Sequence, residues 1–209
     1  MDFSDFDARG YRTVDVRTGY GEWVTNYEQT VEDAMDIALL DRLQEPSWAT
    51  VSRAADLGCG TGRTGQWLRD KGVPTIDGVD LTPEMLAVAE RRGAHDRLVE
   101  ADVAATGLPT GSYDLVISSL IDEHLDDLRP LYREAWRLAA PKAAFVLVAF
   151  HPHFIMTPAC PPTTPAAPAN RWRSPRTCTS SATTSRRRWP RAGGWWSCAR
   201  ASSTTTGWR

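Results

Sequence analysis

Arg53-Ala54-Ala55-Asp56-Leu57-Gly58-Cys59-Gly60-Thr61-Gly62-Arg63 is the stretch that decides the fold. Arg53 to Leu57 reads as a short strand, and three glycines at alternate positions then lead into a helix from about Arg63 that stops at Gly72. Without a Cβ, each glycine lets backbone N–H groups approach a ligand closely. The helix start adds donors with no partner inside the helix. A second strand, Thr75 to Asp80, precedes Thr82 and Pro83, which suit an N-cap and a first helical position. That helix carries Met85, Leu86, Val88 and Ala89 and ends at Gly93. A third strand runs near Arg97 to Val103; after a turn with Pro109 and Gly111 comes a fourth, Tyr113 to Ser119. Leu128, Leu131, Tyr132, Ala135 and Leu138 then form one helix face, and Ala144 to Phe150 is a continuously apolar fifth strand. Such a strand is covered on both sides, and the alternation predicts an α/β fold with a parallel sheet between helices.

Upstream of the glycines, Glu28 to Leu43 has the apolar spacing of an amphipathic helix, and Tyr20, Trp23 and Tyr27 recur at helical spacing ahead of it. This aromatic face either packs on the domain or forms a lid over a ligand. The length of 209 residues allows one such domain and is short for a dehydrogenase with a separate substrate domain. Met1 to Met156 holds 15 basic and 26 acidic residues, a poor surface for nucleic acid. No run approaches the roughly 20 apolar residues of a membrane span, and Met1 to Arg12 lacks a signal-peptide pattern, so a cytoplasmic protein is expected. The four cysteines have neither disulfide-framework nor zinc spacing, so no metal is expected.

From Thr157 the composition changes abruptly. The last 53 residues contain nine arginines and five tryptophans but no acid, Lys, Leu, Ile, Val, Phe or Tyr. Apart from the tryptophans, such a segment buries too little apolar area to offset the entropy of ordering it. An irregular or disordered tail is expected, and a frameshift in a GC-rich gene explains the bias. Read one base over, the codons of Gly193 to Cys198 give Arg, Gly or Trp, then Leu, Val or Met, then Val, then Val or Glu, then Leu, Val or Met. That product is strand-like. The division is therefore a helical cap over 1–45, a ligand-binding domain over 46–156 and the tail over 157–209.

The chemistry starts from Gly58, Gly60 and Gly62 with Asp56 before them. Backbone N–H groups suit a ligand carboxylate and Asp56 suits a ligand ammonium, directly or through water. Those are the two ends of an amino acid, which is half of S-adenosylmethionine. Gly60-Thr61-Gly62-Arg63-Thr64-Gly65 also matches the dinucleotide fingerprint, so an NAD(P)-binding oxidoreductase is the rival reading. Asp80, closing the second strand, suits ribose hydroxyls in either case. Asp102, ending the third, suits an adenine amino group.

Ala55 to Gly62, Gly78-Val79-Asp80-Leu81-Thr82-Pro83-Glu84-Met85-Leu86, Ala101-Asp102-Val103 and Tyr113 to Ser119 resemble the successive motifs of class I S-adenosylmethionine-dependent methyltransferases. The resemblance covers roughly Tyr20 to Met156. It implies a Rossmann-like sheet of order 3-2-1-4-5, S-adenosylmethionine as cofactor with S-adenosylhomocysteine as product, and a small-molecule acceptor methylated at O, N or C. It places Gly58, Gly60 and Gly62 on the methionine part, Asp80 on the ribose diol, Met85 on an adenine face, and Asp102 with the Val103 N–H on the adenine edge. Ser118 and Ser119 border the reaction centre, and Tyr20, Cys59 and Leu81 complete the cofactor side. Two departures stand out: Pro141-Lys142-Ala143 replaces the family's Pro-Gly-Gly turn, and the tail as written cannot supply the family's last two strands, the final one antiparallel. That leaves the fifth strand as an open edge. Acceptor-side candidates follow strands four and five: His124 first, then Asp122 and His151, with Glu123 and His153 beside them. An S-adenosylmethionine-binding but inactive frameshifted product is the alternative.

Overall fold

The computed structural model describes residues 12–30, 35–149, 172–173 and 196–200, with side chains over 14–27 and 35–149. Helices α1 (Val16–Thr30) and α2 (Met35–Leu40) precede an alternating series. The series is β2 (Arg53–Leu57), α3 (Arg63–Asp70), β3 (Thr75–Asp80), α4 (Pro83–Arg92), β4 (Arg97–Glu100), β5 (Tyr113–Ser119), α5 (Arg129–Leu138) and β6 (Ala139–Ala149). A two-residue strand β1 (Arg12–Thr13) pairs in parallel with β7 (Trp172–Arg173), and β8 (Trp196–Arg200) completes the set.

The main sheet has the order β4-β3-β2-β5-β6-β8, with every pairing parallel. Its first five strands are the 3-2-1-4-5 arrangement implied by the resemblance, and the point where the order reverses lies between β2 and β5. Two apolar clusters hold the layers. Ala55, Leu57, Val116 and Leu147 pack toward Leu131, Ala135 and Leu138 of α5 on one face. Ala54, Ile76, Ile117 and Val146 pack toward Leu40 of α2 and Trp67 and Leu68 of α3 on the other. Alternate residues of one strand therefore enter different clusters, as strand geometry requires.

The punctuation residues act as expected. Thr82 takes the N-cap position of α4 in extended conformation, without a side-chain capping bond, Pro83 stands in the first turn, and Gly93 ends that helix in the left-handed region at φ 69°. Other boundaries move. The residues expected to form one helix over Glu28 to Leu43 fall instead at the end of α1 and in α2; α1 begins near Asp15, which accepts hydrogen bonds from the Thr18 N–H (3.0 Å) and hydroxyl (2.7 Å) and so caps it. β4 stops at Glu100, before Asp102. β6 begins directly after α5, five residues before the expected Ala144, with a register shift opposite Tyr113 to Leu115. Lys142, standing where the family places glycine, is left-handed at φ 70°.

The tail is not wholly irregular, contrary to expectation. Trp196–Arg200 covers the edge of β6 in register Phe145↔Trp196 to Ala149↔Arg200. Burial of an open strand edge by the nearest extended segment is the physical reason. The pairing is parallel, whereas the family's last strand is antiparallel.

Candidate functional site

A cavity of about 260 Å³ opens at the carboxyl ends of β2, β3 and β5, beside the reversal of strand order. Its floor is the glycine turn. The N–H groups of Gly58 and Cys59 donate to the Val79 carbonyl at 2.8 and 2.9 Å, and the Gly62 N–H to the Cys59 carbonyl at 2.8 Å, which pins the turn onto β3. Gly58 has φ +72°, and a Cβ there would lie 2.5 Å from Ile121 Cγ2. Gly60 has φ +52° with nothing within 4 Å of a Cβ position. The glycine at 58 is needed for space as well as for conformation; the glycine at 60 leaves the floor open.

Asp80 ties the floor to the second wall. Its carboxylate accepts from the Gly60 N–H at 2.8 Å and from the Thr82 N–H at 2.9 Å. Burial pushes its carboxyl above the ordinary 3.8, partly offset by the Thr82 and Gly60 N–H groups. Each oxygen keeps lone-pair capacity for a ligand hydroxyl. Met85 and Leu81 supply apolar surface beside it, and Asp102 and Val103 close that side of the cavity. Burial raises the Cys59 thiol well above 9.0, which keeps it protonated and unreactive.

Two hydroxyls point to a polar ligand. Thr61 Oγ1 and Ser119 Oγ are buried in residues that line the cavity, and neither has a hydrogen-bond partner among the described residues. Such groups are costly to bury unpaired. The glycine cradle, the Asp80 carboxylate and these two hydroxyls fit the amino-acid and ribose parts of S-adenosylmethionine. Arg63, immediately after the last glycine, also lines the cavity and pairs with the buried Asp36 of α2 at 3.0 Å.

The opposite wall comes from α1 and from the short 3-10 turn Asp122–His124 that follows β5. The Tyr20 hydroxyl and His124 Nε2 are hydrogen-bonded at 2.8 Å, and their rings meet edge to face at 5.2 Å. Glu123 Oε1 lies 3.7 Å from the same nitrogen. Tyr20 also packs on Trp23 and Tyr27, so the aromatic face of α1 both docks on the domain and faces the cavity.

Of the residues singled out from sequence, Tyr20, Gly58, Cys59, Gly60, Asp80, Leu81, Met85, Asp102, Val103, Ser119 and His124 line one cavity. Gly62 lies just behind it as the left-handed N-cap of α3. Three residues do not reach it. Asp56 is buried on the α3 side of β2 and bonded to His95, so it does not face a ligand ammonium directly. Ser118 donates to the Leu57 carbonyl at 2.8 Å and serves the β2–β5 contact. Asp122 begins the turn that carries His124 but is not part of the lining. His151 and His153 fall outside the described residues. Sequence reading missed Thr61, Arg63 and Asp36. The available signal was that Thr61 and Arg63 flank the last glycine; nothing local marked Asp36.

Residues 55–147 match the family described as the methyltransferase domain. This part of the chain is a class I S-adenosylmethionine-dependent methyltransferase domain. The chain is 33% identical over 128 residues to a malonyl-[acyl-carrier protein] O-methyltransferase of Enterobacter lignolyticus, covering 60% of this chain and 49% of that one. It is 34% identical over 152 residues to the Halorhodospira halophila protein of the same name, covering 70% and 51%. An S-adenosylmethionine-dependent methyltransferase from Mesorhizobium loti shares 33% identity at TM-score 0.50, over 61% of this chain and 57% of that chain. The chain thus spans about half the length of the curated relatives it matches. Among the described residues, no helix is long and apolar enough to cross a membrane.

Proposed function

We propose that the chain binds S-adenosylmethionine in this cavity and methylates a small-molecule acceptor held against His124 and Tyr20, the latter reassigned from the expected cofactor side because its hydroxyl is bonded to His124. One observation supports this above the others: a single cavity joins the glycine turn, Asp80 and Asp102 on one wall to the Tyr20–His124 pair on the other. Gly58, Gly60, Thr61 and Arg63 face the methionine part, Asp80 the ribose diol, and Met85, Asp102 and Val103 the adenine. When bound, S-adenosylmethionine supplies a methyl group on a sulfonium centre whose leaving group is already activated. The protein's task is then to orient the acceptor and exclude water. For an O–H or N–H acceptor, the Tyr20 oxygen takes the acceptor proton as its own proton passes to His124 Nε2. The imidazolium so formed lies beside the Glu123 carboxylate. An acceptor that is already an anion needs no such transfer.

Calorimetry with S-adenosylmethionine, S-adenosylhomocysteine and NADH tests the binding reading, and absence of S-adenosylmethionine binding by folded protein refutes it. Labelled methyl transfer to a panel of alcohols, amines, a free dicarboxylic acid and a carrier-bound malonyl group then identifies the acceptor class. The relatives' name argues for including the last.

A second reading, favoured by the composition of Thr157 to Arg209, is binding without turnover because that segment is encoded out of register. The proposed division into a cap over 1–45, a domain over 46–156 and a tail over 157–209 goes with it. Assaying the chain beside a register-corrected version decides: equal methyl transfer shows the written tail to be sufficient.

A further inference from the structure

His95 lies between α4 and β4, outside the cavity lining, and its side chain is 0% exposed. Among the described residues its one hydrogen-bond partner is Asp56, itself 1% exposed, and a carboxylate can only accept, so Nε2–H donates to Asp56 Oδ2 at 3.0 Å. We propose that His95 is a positioning residue for the cofactor turn, acting through the Asp56 carboxylate two residues before Gly58. The inference rests on the S-adenosylmethionine reading above.

The slot that holds the imidazole is cleared for it. A Cβ on Gly65 would overlap Cε1 and Nε2 of His95, and one on Gly78 would lie 2.7 Å from Cδ2. Gly65 is inside α3, where alanine would make a better helix, so its helical conformation gives no reason for glycine. The imidazole does give one. A purely apolar side chain would fill the slot without the cost of burying Nδ1, which has no partner among the described residues. What the imidazole adds over such a side chain is the bond to Asp56.

Asp56 in turn sits under the cofactor floor. Its negative charge opposes ionisation of both Cys59 and Asp80, so it is close to the turn although it does not line the cavity. Its second oxygen, Oδ1, is buried with no partner among the described residues. Deprived of His95, the carboxylate would keep no donor, and a buried unpaired charge must turn or draw in water. Either response moves the end of β2 and the turn that follows it. That turn carries Gly60, whose N–H is held by Asp80, and Thr61, whose hydroxyl faces the cavity.

The test compares His95→Phe, which fills the slot without a donor, with His95→Asn and His95→Gln, which keep an N–H. S-adenosylmethionine affinity is measured by calorimetry, alongside thermal unfolding and the separate kcat and KM for S-adenosylmethionine. The expected result is at least tenfold weaker binding by His95→Phe, with kcat at saturation within about twofold and with at least one amide variant restoring affinity. Wild-type affinity in folded His95→Phe overturns the proposal, as does equal loss in all three folded variants. A measurement on the unmodified chain guards against variants that fail to fold. The Nε2–H proton of His95 should be slow to exchange in NMR spectra and should shift when S-adenosylmethionine is added. A resonance unmoved by saturating ligand overturns the coupling. Wild-type protein that is folded but does not bind S-adenosylmethionine overturns the functional reading itself, and that control separates the two failures.

Discussion

The two walls of the cavity are built in different ways. The wall proposed for the cofactor draws on Gly58, Gly60, Asp80 and Asp102, each at or just beyond the carboxyl end of one of three adjacent parallel strands. Its chemistry is largely backbone N–H groups from the turn after β2 and one carboxylate each from the end of β3 and the loop after β4. The acceptor wall is held by a hydrogen bond between Tyr20 and His124, 104 residues apart, with Glu123 close by. One wall follows from local rules of strand, turn and helix start; the other exists only once α1 has docked. A site of this form can keep its cofactor while its acceptor chemistry changes, because the groups that differ lie on separate elements.

Four measurements would break or sharpen that contrast. The largest effect is expected for Asp80→Ala, which removes the carboxylate proposed to hold two ribose hydroxyls: a loss of about 4 kcal/mol in S-adenosylmethionine binding, close to a thousandfold. The ionised carboxylate is the form that accepts from the hydroxyls, and burial raises its pKa. Wild-type affinity should therefore fall on acidification with a midpoint above 3.8, and binding indifferent to the substitution breaks the assignment of the cofactor wall. Next, His124→Ala should lower kcat for an O–H or N–H acceptor roughly a hundredfold, while the Kd for S-adenosylmethionine changes less than threefold. Tyr20→Phe should act in the same sense. Equal losses in Kd would mean the walls are not separate.

The third concerns a clamp behind the cofactor wall. Glu134 of α5 accepts from the Thr106 N–H at 2.9 Å and hydroxyl at 2.6 Å, and Arg137 binds the same carboxylate. Chiefly through Arg137, with Thr106 assisting, its pKa is held down at about 2 against an ordinary 4.5. A depressed carboxylate contributes stability that is complete above 4.5 and disappears as pH falls through about 2. Glu134→Gln should cost on the order of 2 kcal/mol at neutral pH and flatten that acid limb in chemical denaturation. An unchanged limb would show that the Asp102 to Leu108 loop is held otherwise. The smallest effect is a control outside both walls. Lys142→Gly should stabilise by about 1 kcal/mol, because glycine adopts φ 70° without a Cβ penalty, and should leave kcat and Kd alone.

The same contrast explains what was legible in the sequence. Thr82-Pro83, Gly93 and the alternating glycines act through their own backbone or their nearest neighbours, so the strand–helix alternation and the glycine floor could be read directly, while the sheet order came from the family resemblance. Asp56 and Ser118 could not be placed that way. Both lie near strand ends, where alternation sets the face but the partner that takes up each polar group comes from elsewhere in the chain: His95 for Asp56, the Leu57 carbonyl for Ser118. Asp36 meets Arg63 across 27 residues with no periodic signal to announce it. The Asp15 cap is a local signal, with Thr18 three residues on, that marks the start of α1 ahead of the aromatic spacing at Tyr20 to Tyr27. Pairing of Trp196–Arg200 with β6 depends on an edge left open elsewhere, which the composition of the tail does not reveal.

The Tyr20–His124 bond also has a history in time. At a synthesis rate of about 5–20 residues per second, Tyr20 leaves the ribosome roughly 5–20 s before the residue it must meet. During that interval α1 has no partner in β5 or the turn beyond it, while β2, α3, β3 and α4 can already assemble the glycine floor. In that interval α1 can already rest on α4, but its bond to His124 must wait for the turn after β5.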